Sequence, residues 1–336
     1  MSQPRRANGA VIEMQHVSKS FGEKHAVRDL SLVVPPGQIF GLVGPSGCGK
    51  TTTIRMLTGV YTPTSGDLRV LGATPEHFAR RVREKIGYMP QLFVLYPTLT
   101  VWENLNFVAS LYGMNWFRRR KRLEMLLDFV ELRPARNTLA SNISGGMKRR
   151  LELACSLVHN PELLFADEPT AGVDPVLRGK FWEHFRELKS SGNSLVVTTQ
   201  YVSEVAYCDQ VAVMRNGKLL LVDTPDGLRR NALGGEIIRL TVDAEDDLNA
   251  RRILTQMPFV QQFGRPAGTP RGTLDIYVND AGALLPEVIR GLNEDPTIDM
   301  RNAEEFKPPF DDIFITLMEK AAAADPDGVE EEIINA

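Results

Sequence analysis

The sequence predicts an α/β domain with an inserted helical section, followed by a small α+β domain. Three observations predict it. Ile39–Val43 is a short apolar run that feeds a glycine-rich loop and then a helix over Thr51–Leu57, ended by Gly59. The middle third loses such strand-like runs and shows helical spacing instead. The α/β pattern then resumes at Leu163–Ala166, continues through a helix over Val176–Lys189 and reaches a strand over Leu195–Thr198.

The remaining elements follow from local signals. Val11–Val17 and Leu30–Val34 read as strands, the second closed by the turn Pro35-Pro36-Gly37. Thr100, with Glu103 three residues on, forms a capping box for a helix reaching Leu111. Leu123, Leu126, Leu127 and Val130 follow at helical spacing. Gln210–Met214 and Lys218–Val222 flank Arg215-Asn216-Gly217, a strong hairpin turn. Further on, Ile237–Val242 and Leu274–Val278 read as strands, and Leu248–Gln256 and Ala281–Leu292 as helices. That order permits a small split βαβ fold. The first domain is expected over 11–230, with its helical subdomain at about 92–160, and the second over 236–320. Residues 321–336 read as a mobile tail.

Composition narrows the class. A length of 336 residues suits two domains. The 39 basic and 42 acidic residues leave a formal charge of -3, which gives no electrostatic reason to expect nucleic acid as a partner. Cys48, Cys155 and Cys208 are odd in number and lack metal spacing, so neither a disulfide framework nor a zinc site is expected. They fit a reducing cytosol. The start, MSQPRRANGA, carries charge without an apolar core behind it and does not read as a signal peptide. Nothing approaches the roughly 20 apolar residues of a membrane helix, so any membrane role is expected through a partner.

The glycine-rich loop carries chemistry. Gly44-Pro45-Ser46-Gly47-Cys48-Gly49-Lys50-Thr51 matches the phosphate-loop pattern G-x-x-x-x-G-K-S/T, with Thr52 following. Its glycines let backbone N–H groups turn inward around phosphates, Lys50 would reach the β- and γ-phosphates, and the Thr51 hydroxyl would hold Mg²⁺. The helix that starts at Lys50 aims its positive end at the same anion. Asp167, at the end of the Leu163–Ala166 strand, is the expected second Mg²⁺ partner, and Glu168 beside it is placed to orient or deprotonate the attacking water. Cys48 lies inside the loop, so a thiol reagent there is expected to block ATP binding.

Between these motifs lies Ile143-Ser144-Gly145-Gly146-Met147, which resembles the ABC signature, usually LSGGQ. Phe21 occupies the place of the aromatic that stacks on adenine, Gln91 matches the Q-loop glutamine, and Ala171-Gly172-Val173-Asp174 matches the D-loop. The chain thus resembles an ABC transporter ATP-binding subunit over about residues 11–228. The resemblance implies a P-loop NTPase fold and an ATP hydrolase in which Gln91 senses the metal and the attacking water. It implies a head-to-tail dimer, with Ser144, Gly145, Gly146 and Met147 meeting the ATP of the other subunit. It also implies a separate membrane permease and a location at the cytoplasmic face of the inner (plasma) membrane.

Two departures stand out. Met147 replaces the usual glutamine. Gln200 replaces the switch histidine; it can still donate to the γ-phosphate but cannot become charged. Thr199-Gln200-Tyr201, the D-loop and the appended domain resemble the drug-resistance and type-2 exporter branch, with daunorubicin-resistance ATPases its familiar members. That implies export of a drug, lipid or polysaccharide. The alternative is a soluble ABC ATPase acting in assembly or translation. Ribosome-acting members carry two nucleotide domains in one chain, assembly members generally lack the appended domain, and DNA-repair members carry a long coiled coil. The interval from Lys50 to Ser144 shows no sustained heptads.

Other candidates have plainer readings. Arg118-Arg119-Arg120-Lys121-Arg122 reads as a solvated helix start ahead of the Leu123 stripe; lipid headgroups, the permease or nucleic acid are what such a run could otherwise meet. Phe93, Tyr96 and Leu99 could form an apolar cleft for the permease or plain subdomain core. The five histidines form no ligand-spaced cluster.

Overall fold

A computed structural model describes residues 9–324. The chain forms two compact units that meet in sequence between Thr224 and Pro225.

The first unit holds two sheets. Antiparallel β1 (Ile12–Phe21), β2 (Lys24–Val34) and a later strand, Ser65–Val70, form one in the order β2-β1-β4, where Ser65–Val70 is β4. β1 and β2 extend beyond the sequence expectation because Phe21 pairs with Lys24 across a tight turn at Gly22, whose φ of +59° suits glycine. The second sheet has six strands: β3 (Ile39–Val43), β5 (Ile86–Met89), β6 (Leu163–Asp167), β7 (Ser194–Thr199), β8 (Gln210–Arg215) and β9 (Lys218–Asp223), in the order β5-β6-β7-β3-β8-β9. Only the β8–β9 hairpin is antiparallel. β3, β6 and β7 are buried along their whole length, as parallel strands covered on both faces must be, and this explains their unbroken apolar runs.

The helices are α1 (Lys50–Leu57), α2 (Arg80–Arg83), α3 (Val101–Leu111), α4 (Trp116–Phe129), α5 (Gly145–Leu157) and α6 (Pro175–Ser190). Thr100 caps α3 through the full reciprocal box with Glu103. Leu123, Leu126, Leu127 and Val130 are all buried where α3, α4 and α5 pack on one another. β4 and β5 escaped the sequence reading. β4 buries only Leu68 and Val70 of its six residues, and β5 is four residues long.

The second unit contains α7 (Pro225–Leu233), β10 (Glu236–Val242), α8 (Asp247–Gln256), β11 (Gln262–Gly264), β12 (Thr273–Val278), α9 (Ala281–Asn293), β13 (Met300–Phe306) and α10 (Phe310–Ala324). Its antiparallel sheet runs β11-β12-β10-β13, and the β-α-β-β-α-β order gives the split βαβ arrangement. Ile238, Leu240, Leu274, Ile276, Leu254 and Leu292 fill its core. α7 packs with α10 and β10, so the division falls ahead of residue 230. α10 also takes in 321–324, so the expected mobile tail does not begin at 321; 325–336 lie outside the described residues. Among the described residues, no helix is long and apolar enough to cross a membrane.

Candidate nucleotide site

The phosphate loop leaves β3 and enters α1. Two glycines in it are dictated by close approach. A Cβ on Gly44 would collide with the Met214 carbonyl on β8. Gly49 has a φ of +110°, and a Cβ there would lie 2.5 Å from the Ala26 carbonyl oxygen. Lys50 is 4% exposed. Its Nζ donates to the carbonyls of Gly44 at 2.8 Å and Pro45 at 3.0 Å and lies 3.5 Å from Glu168 Oε1. Cys48 is buried on the core side of the loop, and burial pushes its thiol pKa up. The expected thiol-reagent block of ATP binding therefore lacks an accessible thiolate in the folded protein.

The carboxylates sit at the carboxyl end of β6, where ligands collect in parallel sheets. Asp167 Oδ1 accepts from Thr198 Oγ1 at 2.6 Å and from Thr51 Oγ1 at 3.2 Å. Thr198 Oγ1 also accepts from the Glu168 N–H at 2.9 Å. Glu168 holds a φ of +47°, a left-handed conformation uncommon outside glycine. Its side chain is met from two directions: Lys50 beside Oε1, and Gln91 Nε2 donating to Oε2 at 3.0 Å.

Arg149 on α5 ties these segments together. It is buried, and its guanidinium donates to the carbonyls of Pro90 (2.9 Å), Gln91 (3.0 Å), Glu168 (2.7 Å) and Pro169 (3.0 Å). It also donates to Glu152 Oε2 at 2.9 Å, while Glu152 Oε1 accepts from the Val94 N–H at 2.8 Å. Sequence reading missed Thr198, Arg149 and Glu152. Thr198 faces Asp167 only through the β6–β7 register, and Arg149 sits unremarkably in a basic triplet.

The other predicted residues lie outside this cluster. Ser144 is the exposed N-cap of α5 and accepts from the Met147 N–H at 3.2 Å; Gly145 beside it is exposed and Gly146 half-buried. Asp174 caps α6, accepting from the N–H groups of Val176 and Leu177. Gln200 is exposed just past β7. Phe21 is 44% exposed and meets Tyr61 edge-on at 5.2 Å between centroids.

The donor set fits a metal-bound triphosphate. Among the described residues, Asp167 Oδ2 is buried without a hydrogen-bond partner, beside the Thr51 hydroxyl. An oxygen-only pair of this kind suits a hard divalent cation, which needs such a carboxylate.

A family model for ABC transporters matches residues 27–171. Nod factor export ATP-binding protein I of Paraburkholderia xenovorans (strain LB400) is 40% identical over 232 residues, covering 69% of this chain and 76% of that protein. Linearmycin resistance ATP-binding protein LnrL of Bacillus subtilis (strain 168) is 36% identical over 233 residues, covering 69% and 75%. The probable multidrug ABC transporter ATP-binding protein YbhF of Escherichia coli (strain K12) is 38% identical over 226 residues, 67% of this chain but only 39% of the length of YbhF. A solved ATP-binding subunit of an ABC transporter superposes with a TM-score of 0.60 at 28% identity, over 66% of this chain and 92% of that one. A dimeric post-hydrolysis ATP-binding cassette bound to ADP and Pi gives 0.59 at 26% identity, over 63% and 98%. These relatives favour transport over the soluble alternative and agree with the exporter branch. The chain belongs to the ABC transporter family, as an ATP-binding subunit that hydrolyses ATP.

Proposed function

We propose that this chain energises export of a drug, lipid or polysaccharide, as one half of a homodimer docked on a separate permease at the cytoplasmic face of the inner membrane. The convergence of Lys50, Thr51, Gln91, Asp167 and Glu168 at one end of the parallel sheet carries the reading. In it, the loop from Gly44 to Thr52 cradles the phosphates and Phe21 stacks on the base. Thr51, Asp167 and Gln91 hold Mg²⁺, which when bound neutralises charge on the β- and γ-phosphates. Glu168 takes the proton of the attacking water, oriented by Gln91, and Gln200 donates to the γ-phosphate. Ser144, Gly145, Gly146 and Met147 meet the ATP of the partner subunit, where the positive end of α5 favours an anion. Asp174 orders the D-loop between the two sites.

Relatives named for Nod factor export and linearmycin resistance support the export reading. The segment after Gln91 supports a docked permease: Leu92, Phe93, Val94 and Tyr96 are 76%, 54%, 66% and 49% exposed, an apolar surface waiting for a partner. Glu168→Gln tests the core of the proposal. Hydrolysis should fall roughly 10²- to 10⁴-fold, and MgATP should trap a closed dimer visible by size-exclusion chromatography. Full activity would remove Glu168 from its role; a strictly single-copy protein, even with its permease, would overturn the shared site.

A further inference from the structure

α4 opens on an unusual surface. Trp116 and Phe117 are 72% and 87% exposed, and Leu111, across the α3–α4 turn, is 69% exposed. Phe117, Lys121 and Met125 recur at four-residue spacing on the outward face of the helix, all exposed, while Leu123, Leu126 and Leu127 are buried. The basic run divides into two groups. Arg119 donates to Asn106, Ser110 and the Met114 carbonyl, and Arg122 to the carbonyls of Leu157 and Val158; both serve the fold. Arg118, Arg120 and Lys121 are exposed, and among the described residues no ion pair joins them to a carboxylate. Glu124, the first acid on the helix, is taken by Arg133 and Arg136.

A solvated helix start accounts for the cations but not for an exposed tryptophan and phenylalanine beside them. The cations also stand at the wrong end of the helix. The first turns of α4 already carry the positive pole of its dipole, so Arg118 and Arg120 raise the local potential instead of offsetting it. Such a cluster is stabilised by an anion outside the chain. With a formal charge of -3, the chain as a whole supplies no such attraction, so it is local. Aromatic rings paired with unpartnered cations match the chemistry of an anionic lipid surface: the rings lie at headgroup depth while the cations meet phosphate.

We propose that the tip of α4 is a membrane-surface foot, in which Trp116 and Phe117 enter the headgroup layer of an anionic bilayer and Arg118, Arg120 and Lys121 meet its phosphates. The setting rests on the membrane location proposed above, but the binding does not require a permease. The purified full chain should sediment with phosphatidylglycerol-rich vesicles, not with phosphatidylcholine alone. Binding should vanish at about 0.5 M salt, where screening shortens to a few ångströms. Trp116 emission should shift to the blue on binding, read in a chain whose other tryptophans, Trp102 and Trp182, are replaced by phenylalanine. Trp116→Ser/Phe117→Ser should abolish sedimentation, and Arg118→Glu/Arg120→Glu/Lys121→Glu should weaken it roughly a hundredfold. Basal ATP hydrolysis should persist in both. Absence of binding to anionic vesicles at low salt would overturn the proposal, as would binding that survives both sets. So would variants that lose permease assembly while keeping vesicle binding, which would make the patch a protein contact. Failure of the transporter reading would appear separately, in the Glu168→Gln experiment.

Discussion

The Arg149 guanidinium donates to the main-chain carbonyl of Glu168 at 2.7 Å while also holding the carbonyl of Gln91 at 3.0 Å. One buried cation on α5 thereby positions both the carboxylate-bearing turn and the segment that reaches it. Arg149→Met leaves Glu152, with a side chain 1% exposed, without its cation. The expected loss is about 3–5 kcal/mol in urea unfolding, because an unpaired buried charge is costly. Adding Glu152→Gln should return part of that stability without returning ATP hydrolysis, since the carbonyl contacts stay lost. Full recovery of both would reduce Arg149 to a counterion.

Thr198 offers a finer probe. Its hydroxyl donates to Asp167 at 2.6 Å and accepts from the Glu168 N–H at 2.9 Å. Thr198→Val keeps the shape and removes both bonds, so a stability loss of about 1–3 kcal/mol is expected. Mg²⁺-dependent ATP affinity should fall as well, because Asp167 loses the donor that orients it. Thr198→Ser should retain both properties. Thermal melting and nucleotide titration at varied Mg²⁺ read the two effects.

Gln200 cannot titrate. Gln200→Ala should lower the ATPase rate by removing the proposed donor to the γ-phosphate. Gln200→His should introduce a group that changes charge near pH 6.5, and with it a rate that varies across about pH 5.5–7.5 relative to the parent protein. A Gln200→Ala protein with the parent rate would sink the assigned role.

Acid should destabilise the first unit through two histidines. Burial pushes His159 and His184 below the usual 6.5. His159 stacks on Tyr112 at 3.8 Å and meets the Ile86 carbonyl at 2.9 Å, while among the described residues its Nδ1 and His184 Nε2 are buried without hydrogen-bond partners. The unfolded chain binds protons that these rings refuse when folded, so stability falls as pH drops below about 6.5 toward their folded values. Glu152, pushed up by burial, acts in the opposite sense. The melting temperature should therefore drop between pH 7.5 and 5.5. His159→Gln/His184→Gln should flatten that dependence; an unchanged slope would assign it elsewhere.

What the sequence made legible was local. The β3–loop–α1 unit, the Thr100 box and the β8–β9 hairpin are written in adjacent residues, and each appears as expected. Distant pairings were not legible. Thr198 meets Asp167 because β6 and β7 are neighbours in register, and Arg149 reaches two segments from a helix distant in sequence. The thiol of Cys48 illustrates a subtler limit: the loop pattern specifies residue types but not which side of the loop a nonglycine side chain occupies. Strands as short as β5, with four residues, and β11, with three, span too few residues to leave a periodic trace.

The left-handed backbone at Glu168 imposes a filter on what can replace it. Branched side chains at +47° carry a steric cost that would spread into the neighbouring Asp167, whereas Gln and Asn tolerate the bend. On the role proposed for Glu168, amide replacements would therefore silence hydrolysis while leaving the phosphate grip undisturbed. A single such replacement would then leave a chain that still grips nucleotide but no longer turns it over.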